Sequence, residues 1–243
     1  MTNEMKKDLL KIGCPEEKIK VHYHGINTKQ FDLPRNYAIK NDRFTLLTIA
    51  SLYKVKGHIS VLKALASIVK SRPELIMSYT IVGAGPLKNE LSSFVHENGL
   101  SKIVTFLGAI KHGAAFNQQL ILADVFLHPS VTTRNKDKEG IPGALVEAMA
   151  SGLPSIATFH GGIPAVVQNE VTGFLVKEHD VKAIAEKLLA LYESEALRRR
   201  IGISAKAFAS KNLDVYEKAK DLMSIYETAI LGHTSNVNKH DIQ

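Results

Sequence analysis

Phe44-Thr45-Leu46-Leu47-Thr48-Ile49-Ala50-Ser51 is a continuous, β-rich apolar run. A strand with one wet face would alternate polar and apolar residues, so this run reads as a strand covered on both faces. After it, Gly57 opens a segment where Val61, Leu62, Leu65, Ile68 and Val69 recur at helical spacing. The same alternation continues down the chain. Residues 79–82, 104–107, 125–128, 155–158 and 173–176 read as further strands. Helices fall at 87–96, at 116–122, after Glu139, at 163–168, through Val181, Ile184, Ala185, Leu188 and Leu189, and at about 195–210 and 214–231. Strands alternating with helices predict an α/β domain built on a doubly wound parallel sheet of about six strands.

The flanks read differently. In residues 1–42, Asp8 to Gly13 resemble a helix end followed by Pro15, residues 20–23 a short strand leading into Gly25, and the rest a polar linker to Arg43. Little periodic apolar sequence is present there to build a core. The expected division is 1–42 as the remnant of a preceding domain with its interdomain linker, 43–213 as the α/β domain, 214–231 as a crossover helix and 232–243 as a disordered polar tail.

In doubly wound sheets, ligands bind beyond the carboxyl ends of the strands. Four loops there carry chemically useful residues: 51–57, 83–86, 108–111 and the segment from Glu139. Glu139 and Glu147 stand eight residues apart, with Gly140, Ile141, Pro142 and Gly143 between them. Pro142 suits a first helical position, Ala144 to Ala150 favour helix, Gly152 suits the C-terminal cap and Pro154 stops the helix. Glu139 therefore belongs to the loop before the helix and Glu147 to its second turn, leaning back toward Glu139. Free N–H groups between the two attract an anion. Hydroxyls at both ends and phosphate in the middle describe a nucleotide-sugar. Two glutamates at this spacing also occur on ordinary surface helices.

The other loops each admit two readings. Gly83 and Gly85, with Pro86, permit close approach of a ligand or simply a tight strand-to-helix turn; the third glycine of a dinucleotide fingerprint is missing. Lys54 and Lys56 could pair with a diphosphate or lie solvated. Lys111 and His112 could line a base pocket or the surface. His128 and His160 end strands and could be structural. No histidine stands near a cysteine or acid at metal-ligand spacing, so no protein-built metal site is expected. No Gly-x-Ser-x-Gly elbow occurs, and Cys14 lacks an activating context.

Composition narrows the class. An apolar content of 45% is ample for a core, and the net charge of +7 suits nucleic acid, an anionic membrane surface or a phosphorylated ligand. No Lys/Arg run is interleaved with aromatics, which disfavours nucleic acid. Arg198, Arg199 and Arg200 read as a solvated helix face, with membrane-surface contact as the alternative. Cys14 is the only cysteine, which fits a reduced compartment. Met1 is followed by a charged segment rather than a signal peptide, and no apolar run is long enough to cross a bilayer. The expectation is a cytoplasmic protein, with peripheral contact at the inner membrane face left open.

Seven segments carry a family resemblance: 21–31 (VHYHGINTKQF), 49–57 (IASLYKVKG), 81–87 (IVGAGPL), 104–108 (VTFLG), 123–130 (ADVFLHPS), 139–154 (EGIPGALVEAMASGLP) and 161–176 (GGIPAVVQNEVTGFLV). In this order, across residues 18–230, they resemble the donor-binding half of the retaining glycosyltransferases of family 4. These have the GT-B fold, one Rossmann-like half of which this chain would supply. The EGIPxxLxEAM form is similar to enzymes that assemble bacterial exopolysaccharide or related surface glycans. The resemblance implies that Glu139 contacts donor-sugar hydroxyls and that backbone groups of Gly140, Ile141, Pro142 and Gly143 hold sugar and phosphate. It implies that Glu147 binds the ribose, that Lys56 neutralises the diphosphate leaving group, and that Leu107 to Lys111 flank the base. Ser51, Gly83 and Gly85 would line the donor. No metal or other cofactor is implied, with a UDP- or GDP-sugar as co-substrate.

Two departures stand out. The family usually has arginine at Ser51, which weakens the phosphate clamp here, with Lys54 as the nearest replacement. Family members also carry an acceptor-binding domain before the position of Val21, and Met1 falls where that domain would end. The expectation is therefore a donor-binding half, with weak binding and little transfer by itself, whose glycan or lipid-linked acceptor is held by another lobe. Alternatives are a non-catalytic binding subunit needing a partner lobe, or a GT-B-like nucleotide-sugar epimerase or hydrolase.

Overall fold

The computed structural model describes residues 2–237. In chain order the elements are α1 (Asn3–Lys11), β1 (Phe44–Ile49), α2 (His58–Ser71), β2 (Met77–Val82), α3 (Lys88–Glu97), β3 (Val104–Gly108), α4 (Ala114–Leu122), β4 (Val125–His128), α5 (Gly143–Ala150), β5 (Ser155–Thr158), β6 (Phe174–Val176), α6 (Val181–Glu193), α7 (Glu195–Asn212) and α8 (Val215–Val237). The six strands form one parallel sheet in the order β3-β2-β1-β4-β5-β6. The order reverses between β1 and β4, which makes that crevice the topological switch point.

Why β1 lies at the centre is visible in its side chains. Leu46 and Leu47 are both buried to within 1% of their surface, yet they enter different cores. Successive strand residues point to opposite faces, so a run apolar at every position needs helices on both sides. Leu46 joins Val61, Leu65, Tyr79, Val125 and Ile184 on the α2–α6 side; Leu47 joins Phe126, Leu145, Met149 and Ala205 on the α5–α7 side. Thr48 is the polar exception. Its hydroxyl donates to Leu127 O at 2.8 Å and lies 2.8 Å from the Tyr79 hydroxyl, so its polar capacity is spent inside the sheet.

Several boundaries differ from the sequence reading. β2 begins at Met77, because parallel pairing with Phe44 recruits two further residues. Residues 20–23 are not a strand; the chain makes only an isolated bridge between Ile26 and Asp214. The helix expected at 163–168 is a single 3-10 turn, Ile163–Ala165, with Pro164 inside it. α8 runs on to Val237, so residues 232–237 of the expected tail are helical, and residues 238–243 lie outside the described residues. Residues 1–42 contribute more to the core than their pattern suggested: Ile19, Phe31 and Tyr37 are buried.

The arginine run differs at its first member, while Arg199 and Arg200 are exposed as expected. Arg198 is 3% exposed and donates to the carbonyls of Tyr37, Leu191 and Tyr192. The end of α6 leaves carbonyls without helical partners, and a guanidinium fork satisfies several at once. Arg35 does the same for Leu120, Ala123 and Ser151. Arg198 is therefore no part of a solvated face.

Candidate active site

The loops that follow β1 and β4 meet at the switch point, and Lys56 and Glu139 meet with them. Lys56 sits in a 3-10 turn (Lys54–Lys56) closed by left-handed Gly57. Its Nζ donates to Glu139 Oε1. The Ser130 hydroxyl donates to Glu139 Oε2, and His128 Nε2 lies 3.0 Å from the same oxygen. The Glu139 side chain is only 10% exposed and that of Lys56 20%. A carboxylate so shielded persists because cation, hydroxyl and imidazole compensate its lost hydration.

Burial sets the electrostatics here. It pulls the Lys56 ammonium below its ordinary pKa. It pulls His128 down to about 3, with Lys56, His58 and His160 pushing the same way. His128 is therefore neutral, and its Nε2–H donates to Glu139. Burial also lowers His58, although the Ser51 carbonyl 2.9 Å from its Nε2 partly opposes this.

Glu147 lies in the second turn of α5, as its spacing required. Its Oε1 is 3.0 Å from His112 Nε2, and its side chain is 12% exposed against 68% for His112. The His112 ring stacks on Phe116 at 4.4 Å, and Phe31 meets both edge-on. The carboxylates thus share an edge of the sheet but no partner: Glu139 is held by Lys56, and Glu147 by His112. Pro142 is the N-cap rather than the first helical residue and offers no side-chain acceptor. The Leu145 N–H turns back to Pro142 O at 3.1 Å, so among the first-turn N–H groups of α5 those of Gly143 and Ala144 face its N-terminal end.

The remaining expected residues lie on the same edge with less specific contacts. Ser51 is exposed, and its carbonyl accepts the Tyr53 N–H at 3.0 Å and lies 2.9 Å from His58 Nε2. Gly83, at φ +148°, would place a Cβ 1.9 Å from Ala50 O, so its visible requirement is the neighbouring backbone. Gly85 lies likewise against Leu52. Leu107 is 43% exposed and Lys111 exposed at the end of β3. Gly140 O accepts the Gly162 N–H at 3.1 Å. Ile141 is half-buried against the α5–α7 core, and Gly143 opens α5 in the open. α1 lies beside this loop: Glu4 pairs with Lys138 at 2.8 Å, and buried Thr2 touches Gly162.

Nothing local in the sequence marks Ser130, and His128 fits two roles there. The signal that finds them is the edge rule itself, since both lie where β4 ends. Among the described residues, no group of three His, Cys, Asp or Glu is placed to hold a metal, and no helix is long and apolar enough to cross a membrane.

Comparison with known proteins identifies the family and the fold. The family described as "Glycosyl transferases group 1" matches residues 29–208. The amylovoran biosynthesis glycosyltransferase AmsK of Erwinia amylovora is 34% identical over 219 residues, covering 90% of this chain and 53% of that protein. The putative colanic acid biosynthesis glycosyltransferase WcaL of Escherichia coli is 36% identical over 182 residues, covering 75% and 44%. The chain thus spans about half the length of the curated relatives it matches. Among solved structures, Anabaena HepE in complex with UDP superposes with a TM-score of 0.81 at 23% identity, covering 93% of this chain and 62% of that one.

Proposed function

The chain belongs to the group 1 glycosyl transferases, and from that premise we propose that it holds the nucleotide-sugar donor in a retaining, family 4-type sugar transfer of bacterial polysaccharide assembly. The observation that carries this reading is the Lys56–Glu139 contact at the switch point, beside the N-terminus of α5. An ammonium and a helix tip together can stabilise the charge that builds on a departing diphosphate. Glu139, at the other end, accepts from hydroxyls of the sugar. Glu147 accepts from the ribose hydroxyls, and the His112–Phe116 pair flanks the base near Leu107 and Lys111. The backbone of Gly140 to Gly143 lies between sugar and phosphate, and Ser51, Gly83 and Gly85 line the opposite side.

Donor arrival then rearranges the site. Lys56, engaged with Glu139 in the free protein, turns toward the diphosphate. Glu139 keeps Ser130 and His128 and gains the sugar. The ammonium keeps an anionic partner throughout, because the diphosphate replaces the carboxylate beside it. The names of the relatives support a surface-glycan acceptor, which we assign to a second lobe, and the UDP held by HepE supports a UDP-sugar, with a GDP-sugar next. The reduced state expected of Cys14 suits a cytoplasmic reaction.

A melting-temperature panel of UDP-, GDP- and ADP-sugars tests this reading. A ligand at a hundred times its Kd stabilises the native state by about 2.7 kcal/mol, and each kcal/mol raises the midpoint of a domain this size by about 2–4 °C. One nucleotide series is expected to give such a shift. A flat response to all three series would refute the donor reading.

A further inference from the structure

The Glu139 N–H donates to His160 Nε2 at 3.0 Å, and the other ring nitrogen, Nδ1, lies 2.7 Å from Glu178 Oε1. A backbone N–H can only donate, so Nε2 is the acceptor and the ring hydrogen sits on Nδ1, aimed at the carboxylate. Glu178 is itself fixed. It accepts the Thr132 N–H at 2.7 Å and the Thr132 hydroxyl at 3.0 Å. Burial pushes its carboxyl up, but the Thr132 N–H, His160 and the Thr132 hydroxyl outweigh burial and hold it below the ordinary value. The His160 side chain is 0% exposed. Gly162, two residues on, donates its N–H to Glu139 O at 3.2 Å. The N–H and the carbonyl of Glu139 are thus both gripped by the turn after β5, and that turn is braced from the end of β6.

We propose that Glu178 and His160 are positioning residues for the donor site: Glu178 locks the His160 imidazole as its Nδ1–H tautomer, and the lone pair so presented on Nε2 sets where the Glu139 peptide, and hence its carboxylate, stands. This rests on the reading that Glu139 meets the donor sugar. The buried ring has no contact with that sugar in this scheme. Its ring-nitrogen contacts are to Glu178, the Thr132 hydroxyl and the Glu139 N–H, so tautomer and loop position are coupled. Reversing the tautomer would point one N–H at another.

Glu178→Gln isolates the device. A neutral amide in that place cannot accept from both Thr132 N–H and His160 Nδ1–H; whichever way it turns, one of the two faces an NH₂. The measurements are nitrogen-15 spectra of the His160 ring and calorimetric titrations with UDP, UDP-glucose, GDP and GDP-mannose, on wild type, Glu178→Gln and His160→Gln. The wild-type ring is expected to show a protonated Nδ1 and a bare Nε2, and Glu178→Gln to disturb both that pattern and the Glu139 amide signal. The ratio of sugar-nucleotide to nucleotide affinity is expected to fall about tenfold or more, the scale on which misplacing a binding group acts, while nucleotide affinity changes little. An unchanged tautomer with an unchanged ratio would overturn the proposal. A wild type that binds none of the four ligands would overturn the donor reading instead. Should His160→Gln fail to fold, the milder Glu178→Gln decides.

Discussion

As the pH falls from 6.5 toward 3, the protein is expected to lose stability through His128, on the order of 1 kcal/mol per pH unit. The sign follows from proton binding. In the unfolded chain His128 takes up a proton below pH 6.5; in the fold, burial first, then Lys56, His58 and His160, delay this to about pH 3. Within that window the unfolded state binds the extra proton, so acid favours unfolding. Above 6.5 both states are neutral at this ring and the contribution is fully retained. Geometry supports the direction. His128 Nδ1 is buried with no hydrogen-bond partner among the described residues, so a proton placed there would have no acceptor. His58, also lowered by burial, adds to the effect. Urea unfolding across the window, on wild type and His128→Gln, measures it. The variant should be less acid-labile, and equal slopes would show that His128 charges as readily in the fold as outside it.

Gly161→Ala is expected to destabilise the fold and to abolish donor binding together. Gly161 has φ +50°, in the left-handed region, where a Cβ costs about 1–2 kcal/mol. A Cβ there would also lie 2.1 Å from Glu139 O and 3.1 Å from its carbonyl carbon. The obstacle is backbone, so the Glu139 segment must move away and lose the Gly162 and His160 hydrogen bonds. Gly13→Ala is the control: φ is +89° and nothing lies within 4 Å, so it carries the left-handed cost without the collision. Chemical unfolding and donor titration of both variants separate the terms. Gly161→Ala should exceed Gly13→Ala in lost stability and alone lose the ligand. Equal losses, with binding intact, would show that the Glu139 loop does not depend on this turn.

The fold was legible where information is local. The run at Phe44 needs two cores at any position in space, and the periodicity of residues 61–69 needs a helix whatever it packs on. Glu147 fell in the second turn of α5 because Pro142 and Gly152 mark that helix in the sequence. What stayed hidden was long-range polar pairing. His160 and Glu139 are 21 residues apart, Thr132 and Glu178 46, and Lys56 and Glu139 83. No periodicity links such pairs, since the crossings of a parallel sheet bring them together. Arg198 misled for the same reason: three adjacent arginines look solvated until the carbonyls of Tyr37, Leu191 and Tyr192 are placed beside the first. α8 continues past Gly232 because a glycine costs a helix only about 1 kcal/mol.

Glu147→Ala is the most direct test of the donor site. Alanine favours helix at least as well as glutamate, so α5 should persist. Hydrogen bonds to a charged group are worth about 1.5–3 kcal/mol each, so losing the ribose contacts should weaken binding by at least about tenfold. The measurement is the melting-temperature shift produced by the best nucleotide-sugar on wild type and Glu147→Ala at one ligand concentration. At a ligand concentration about a hundred times the wild-type Kd, the account predicts a clear shift for wild type and at most about half of it for a folded variant. A variant that shifts as far as wild type would place the nucleotide away from α5 and contradict the site.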